Sequence, residues 1–156
     1  MTGWRIGYIA APASLAAVVG KIQSQTTANP CSISQAAAVA ALTGPQDFIE
    51  TSRIAYRERR DLMGEALGSA LQERQSLPEG AFYFFPSVAK FLGRQGHDGR
   101  VFKTDIDIAD YLLEQAQVAC VPGSAFGLAD HIRFSFAASS EDIRSALSSV
   151  EHSLSI

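Results

Sequence analysis

The 156-residue chain is 47% hydrophobic and 19% charged, the balance of a globular protein with a sizeable core and not of a disordered one. Its 13 Lys and Arg against 16 Asp and Glu give a net charge of -3, and no basic run is long enough to track a nucleic-acid backbone, so a small anionic metabolite suits it better than DNA. No segment reaches the ~20 apolar residues of a membrane span, and the N-terminus lacks a charged region followed by an apolar core, so a cytoplasmic protein is expected.

Residues 1–12 predict an opening strand, because Trp4, Ile6, Tyr8 and Ala10 alternate with Arg5, Gly7 and Ile9. An arginine there needs an anionic partner, and Gly3 and Gly7 leave room for a phosphate or carboxylate to approach. Pro12 then suits the start of a helix carrying Leu15, Val18, Val19 and Ile22, and the polar run Gln23 to Asn29 reads as an exposed loop. Ser32 and Gln35 have the spacing of a capping box ahead of a narrow stripe of small residues that stops at Gly44-Pro45. From Gln46 to about Gln75 the periodicity predicts one helix of roughly 45 Å, long enough to connect two domains. The charges Arg57 to Asp61 at its middle read as a solvated face with i,i+3 and i,i+4 pairs.

Beyond Pro78-Glu79-Gly80 short strands alternate with helices. Ala81 to Phe85 is an aromatic strand closed by Pro86, Gly93 to Arg100 a surface turn, and Val118 to Val121 a short buried strand ended by Pro122-Gly123. Thr104 with Asp107 and Ser139 with Asp142 cap two helices, the second with the stripe Ile143, Leu147, Val150 and Leu154. Between the opening strand and residue 80 there are only helices and loops, so that strand must pair with the small domain, with another copy, or with a sheet outside this chain.

The strand His131 to Ala137 puts Ile132, Phe134 and Phe136 on a core face and Arg133 with Ser135 on the other. A guanidinium held there presents a planar fork that matches a carboxylate. Cys31 and Cys120 stand far apart without zinc spacing, so no metal is expected and both read as small buried hydrophobes in a reducing compartment. Lys21, Lys90 and Lys103 are assigned to the surface, and His97, His131 and His152 have no visible acidic or nucleophilic partner.

The run MTGWRIGY, the distant VPGSAFG and HIRFSFA, and Pro78-Glu79-Gly80-Ala81-Phe82-Tyr83 together resemble class I and II aminotransferases, the fold-type-I enzymes that use pyridoxal 5'-phosphate, with the bacterial aspartate branch the most similar. Their order and spacing agree along the whole chain. The resemblance implies an α/β fold, the C-terminal part of a pyridoxal-phosphate-dependent transferase. Residues 1–45 would end the large cofactor-binding domain, 46–76 form the interdomain helix, and 77–156 form the small C-terminal domain. It also implies that Arg5 contacts the cofactor phosphate and that Arg133 binds the substrate α-carboxylate. Asn29, in a stretch similar to the loop that approaches the partner subunit's active site, is a further substrate-binding candidate beside the plain reading as a loop asparagine.

The Schiff-base lysine of the family precedes the methionine of this motif, so no catalytic residue is expected within the chain and the lysine is expected upstream of Met1. The implied activity of the parent is transfer of an amino group between an amino acid, aspartate first, and a 2-oxo acid, in a homodimer. Two alternatives stay open. One is another fold-type-I activity, a decarboxylase or C–S lyase. The other is a non-catalytic fragment or the effector module of a pyridoxal-phosphate-dependent regulator.

Overall fold

The computed structural model describes residues 1–156, which divide into two compact units, Met1–Glu50 and Thr51–Ile156. No helix is long and apolar enough to cross a membrane.

The first unit holds α1 (Ala13–Thr26) and α2 (Ser32–Thr43). The expected opening strand does not form. A single 3₁₀ turn spans Thr2–Trp4, closed by Arg5 in the left-handed region at φ 51°, and no strand follows it. All three strands of the chain lie between residues 83 and 135 and pair with one another, so the opening stretch has no ladder in which to satisfy its backbone.

The polar run read as a loop is largely helix, because α1 continues to Thr26. Hydroxyl side chains there bond back to the preceding turn, Ser24 Oγ to Lys21 O at 2.8 Å and Thr26 Oγ1 to Ile22 O at 3.0 Å, which is compatible with helix. The Ser32–Gln35 capping box is also absent. Cys31 takes the N-cap position, and the Gln35 amide donates instead to Pro30 O at 2.9 Å. The stripes of α1 and α2 bury almost nothing: Ser34 is their one buried residue, its hydroxyl donating to Trp4 O at 3.0 Å.

The second unit contains the core. It is built from most of α3 (Asp47–Ala70), β1 (Tyr83–Phe84), α4 (Asp105–Gln115), β2 (Val121–Pro122), β3 (Ile132–Ser135) and α5 (Ser140–Leu154). The α3 helix is shorter than its periodicity predicts. Gln72 enters the left-handed region at φ 46°, and the N–H groups of Gln72 and Glu73 reach back to Ser69 O and Gly68 O, the two bonds of a Schellman stop. The Lys90 ammonium donates to Leu71 O, so this lysine fixes the end of α3. Nor does the charged middle of α3 form the expected i,i+4 pairs. Arg60 pairs with its neighbour Asp61 at 2.7 Å and donates to Pro78 O at 3.4 Å, while Arg59 lies 5.5 Å from the Tyr56 ring.

The sheet is antiparallel in the order β1-β3-β2, with Phe84 opposite Phe134 and Val121 opposite Arg133. The strand expected at residues 118–121 starts only at Val121, because the Val118 N–H bonds to Leu112 O at the end of α4 and Gln117 turns the chain at φ 57°. Both helix caps are present. Thr104 and Asp107 form a reciprocal capping box, and Ser139 Oγ accepts the Asp142 N–H at 3.0 Å. Ile143, Leu147, Val150 and Leu154 of α5 are all buried against the core that includes Leu67, Phe102, Ile108 and Leu112. Each such side chain contributes roughly 1.5–3 kcal/mol of transfer free energy.

Candidate functional site

β3 is the middle strand, and its alternation separates core from surface chemistry. Ile132 and Phe134 are 0% and 3% exposed, whereas Arg133 and Ser135 project from the opposite face. Arg133 is half-buried, and its guanidinium forms no ion pair or hydrogen bond with the rest of the chain. It meets aromatic rings instead. Its Cζ lies 4.4 Å from the centroid of Tyr83 and 4.4 Å from that of Phe126.

The two rings reach Arg133 from opposite flanks of the strand. Tyr83 stands in β1 opposite Ser135, two residues along the same face. Phe126 ends the 3₁₀ turn Gly123–Phe126 that follows β2 on the other side. This turn is tightly held. A Cβ at Gly123 would fall 2.3 Å from Leu128 O, Gly127 turns the chain at φ 78°, and the buried Asp105 carboxylate accepts the Ser124 N–H at 2.7 Å. Phe126 also packs edge-on against Phe85 at 6.1 Å, and Phe85 lies 5.4 Å from the His131 ring. Tyr83 is half-buried and Phe126 exposed, and the two rings group around one cation. Only the strand pairing and the turn bring them there.

A guanidinium carries its donors in its own plane and its weakly hydrated faces above and below. With rings against it and no acid paired to it, the N–H edge of Arg133 is available for an anion, and the planar fork matches a carboxylate.

Arg5 and Asn29 belong to the first unit. Arg5 is exposed, and the one bond of its guanidinium is from Nη1 to Thr2 O at 3.4 Å. A Cβ at Gly3 or Gly7 would meet nothing within 4 Å, so open space surrounds the guanidinium's neighbours. A single guanidinium with unused donors beside such space fits a phosphate contact. A cavity of about 420 Å³ in this unit is lined by Met1, Ile6, Gly7, Tyr8, Ala41 and Leu42. Asn29 is exposed and follows Ala28, which sits at φ 58°, as a turn asparagine would.

The cysteines differ from each other and from expectation. Cys31 is exposed, with the backbone N–H groups of Ser34 and Ile33 holding its thiol below the usual value. Cys120 is half-buried, and desolvation pushes its thiol up to about 12. Of the remaining lysines, Lys21 is exposed on α1 and Lys103 just ahead of α4.

Residues 1–150 match the family described as aminotransferase class I and II. The chain belongs to this family. Among its relatives, the aspartate aminotransferase of Rhizobium meliloti (strain 1021) is 48% identical over 147 residues, covering 94% of this chain and 36% of the relative. The aspartate/prephenate aminotransferase of Cereibacter sphaeroides is 45% identical over 151 residues, 97% of this chain and 38% of the relative. A crystal structure of the Rhizobium meliloti aspartate aminotransferase superposes with a TM-score of 0.86 at 44% identity, over 99% of this chain and 38% of that one. The Thermus thermophilus aspartate aminotransferase with maleate gives 0.82 at 37% identity, over 97% and 37%. The chain therefore has the α/β fold of these aminotransferases and spans a little over a third of their length.

Proposed function

We propose that the protein to which this chain contributes is a pyridoxal-phosphate-dependent aminotransferase that moves an amino group between aspartate and a 2-oxo acid. The observation that carries this reading is Arg133, a half-buried strand arginine with no acidic partner and two rings against its guanidinium. In this role Arg133 binds the substrate α-carboxylate through two parallel hydrogen bonds and fixes the orientation of Cα. Arg5 would hold the cofactor phosphate, and Asn29 would contribute a side-chain amide near the substrate. The cofactor, when bound, supplies the electron sink for amino transfer. Both arginines act by placement.

Family membership and the names of the relatives support the class of reaction, and aspartate stands first because the relatives are called aspartate or aspartate/prephenate aminotransferases. The Thermus relative solved with maleate, itself a dicarboxylate, agrees with a two-carboxylate substrate. In this reading residues 1–45 end the large cofactor-binding domain, 46–76 connect, and 77–156 are the small domain. The working form is a cytoplasmic homodimer with the Schiff-base lysine upstream of Met1.

The test is an amino-transfer assay on the protein isolated from its source, with the intact mass measured alongside. Oxaloacetate formed from aspartate and a 2-oxo acid, dependent on pyridoxal phosphate, is expected with a mass well above 16.7 kDa. In that protein Arg133→Lys, which keeps the charge and loses the fork, should raise KM for aspartate by about tenfold or more. A protein that consumes aspartate by another reaction, or whose KM ignores the substitution, would refute the reading.

A further inference from the structure

We propose that Tyr83 and Phe126 are positioning residues that hold the Arg133 guanidinium in one plane, so that its N–H edge is presented to a carboxylate before any ligand arrives. The proposal rests on the reading of Arg133 as the carboxylate anchor and names what makes that anchor rigid.

An arginine side chain on a strand would ordinarily be held by an acid, and none pairs with Arg133. Without one, its flexible stem would sample many rotamers, and each binding event would have to order it again. Here the Cζ lies 4.4 Å from each of two ring centroids, well inside the range of a cation–π contact. Rings engage the faces of a guanidinium and leave its in-plane donors unoccupied, whereas an acid would consume the donors themselves. Aromatic support is thus the means of fixing this arginine that does not compete with its ligand.

The rings are themselves anchored independently of each other. Tyr83 is fixed by the pairing of β1 with β3, and Phe82 packs on it at 4.5 Å. Phe126 is fixed by the turn that Gly123, Gly127 and the Asp105 carboxylate hold in shape, and by its edge contact with Phe85. Neither ring belongs to the buried core, and Phe126 is 51% exposed. A side chain that large and that exposed, placed on a rigid turn against a cation, is explained by the cation and not by the core.

The experiment follows the Nε–Hε resonance of Arg133 in the 156-residue protein as maleate is added, with Arg133→Lys identifying the signal by its loss. In the parent sequence the resonance should lie upfield of the exposed arginines, from ring currents, and should move saturably with maleate. Phe126→Leu should return it toward the exposed arginines and weaken maleate binding by about three- to tenfold. Phe126→Tyr should restore both, and Tyr83→Phe should behave as the parent, since the ring and not the hydroxyl acts. Unchanged Ile132 and Leu147 methyl signals verify that each variant is folded. An unaltered midpoint in Phe126→Leu beside saturable binding in the parent overturns the positioning role alone. An upfield resonance that maleate does not move in the parent overturns the carboxylate reading beneath it, and the proposal with it.

Discussion

A strand arginine and a thiol at a helix start both take their chemistry from what stands within a few ångströms. Arg133 meets rings and keeps its donors, whereas Arg60, with Asp61 at 2.7 Å and Pro78 O at 3.4 Å, has its donors engaged by the protein. The cysteines make the same contrast testable. Cys31 is exposed and its thiol lowered, first by the Ser34 N–H, while burial raises that of Cys120 to about 12. Since the thiolate is the nucleophile, iodoacetamide near neutral pH should label Cys31 alone in the folded protein and reach Cys120 only in denaturant. Equal labelling of both, read by peptide mass, would show that Cys120 is not shielded.

Among the elements, α4 shows how a few polar residues at one end set a helix. Asp107 Oδ2 accepts the N–H groups of Lys103 at 2.8 Å and Thr104 at 2.9 Å, and Thr104 Oγ1 accepts the Asp107 N–H at 3.3 Å. The Lys103 N–H, followed by that of Thr104, keeps the Asp107 carboxyl below its ordinary value. A depressed folded pKa means that the contribution is complete above the unfolded pKa and disappears as pH falls through the folded one. Asp107→Asn should therefore be less stable than the parent at neutral pH, and the gap should close in acid below the carboxylate range. Thr104→Ala should cost about 1 kcal/mol, because it leaves the Asp107 N–H without its acceptor. Urea titrations of both variants at neutral and acidic pH read these differences, and a gap that persists in acid would mean that Asp107 acts other than through its charge.

At the scale of the whole molecule, the apolar surface is unevenly distributed. The second unit buries a continuous core from Met63 to Leu154, while α1 buries nothing and α2 only Ser34. Tyr8, Ile33 and Val39 stand 78%, 70% and 62% exposed. Local stability follows buried contact, so amide exchange should be fast over residues 13–43 and slow in β3, α4 and α5. Mass-spectrometric exchange on the 156-residue chain measures this directly. Equal protection of both units would mean that the apolar stripes of the first are covered in solution, as the homodimer reading would allow.

Periodicity and cap chemistry by themselves determined the starts of α4 and α5 and the faces of α5 and β3, but not the end of α3 or the start of β2. The stripe of α5, the Thr104 and Ser139 caps and the in-out alternation of β3 are set by neighbours three or four residues away, or by a two-residue pleat, and such signals are written along the chain. Motif order along the chain likewise carries the family resemblance. The opening strand failed because a strand is defined by its partner, and the chain's three strands pair only with one another. Tyr83, Phe126 and Arg133 are separated in sequence by up to 50 residues, as 133 minus 83, and meet only because β3 lies between β1 and β2. Spacing along a chain carries no record of such a meeting, so the environment of Arg133 was decided by strand order and by the turn that Gly123 and Asp105 hold closed.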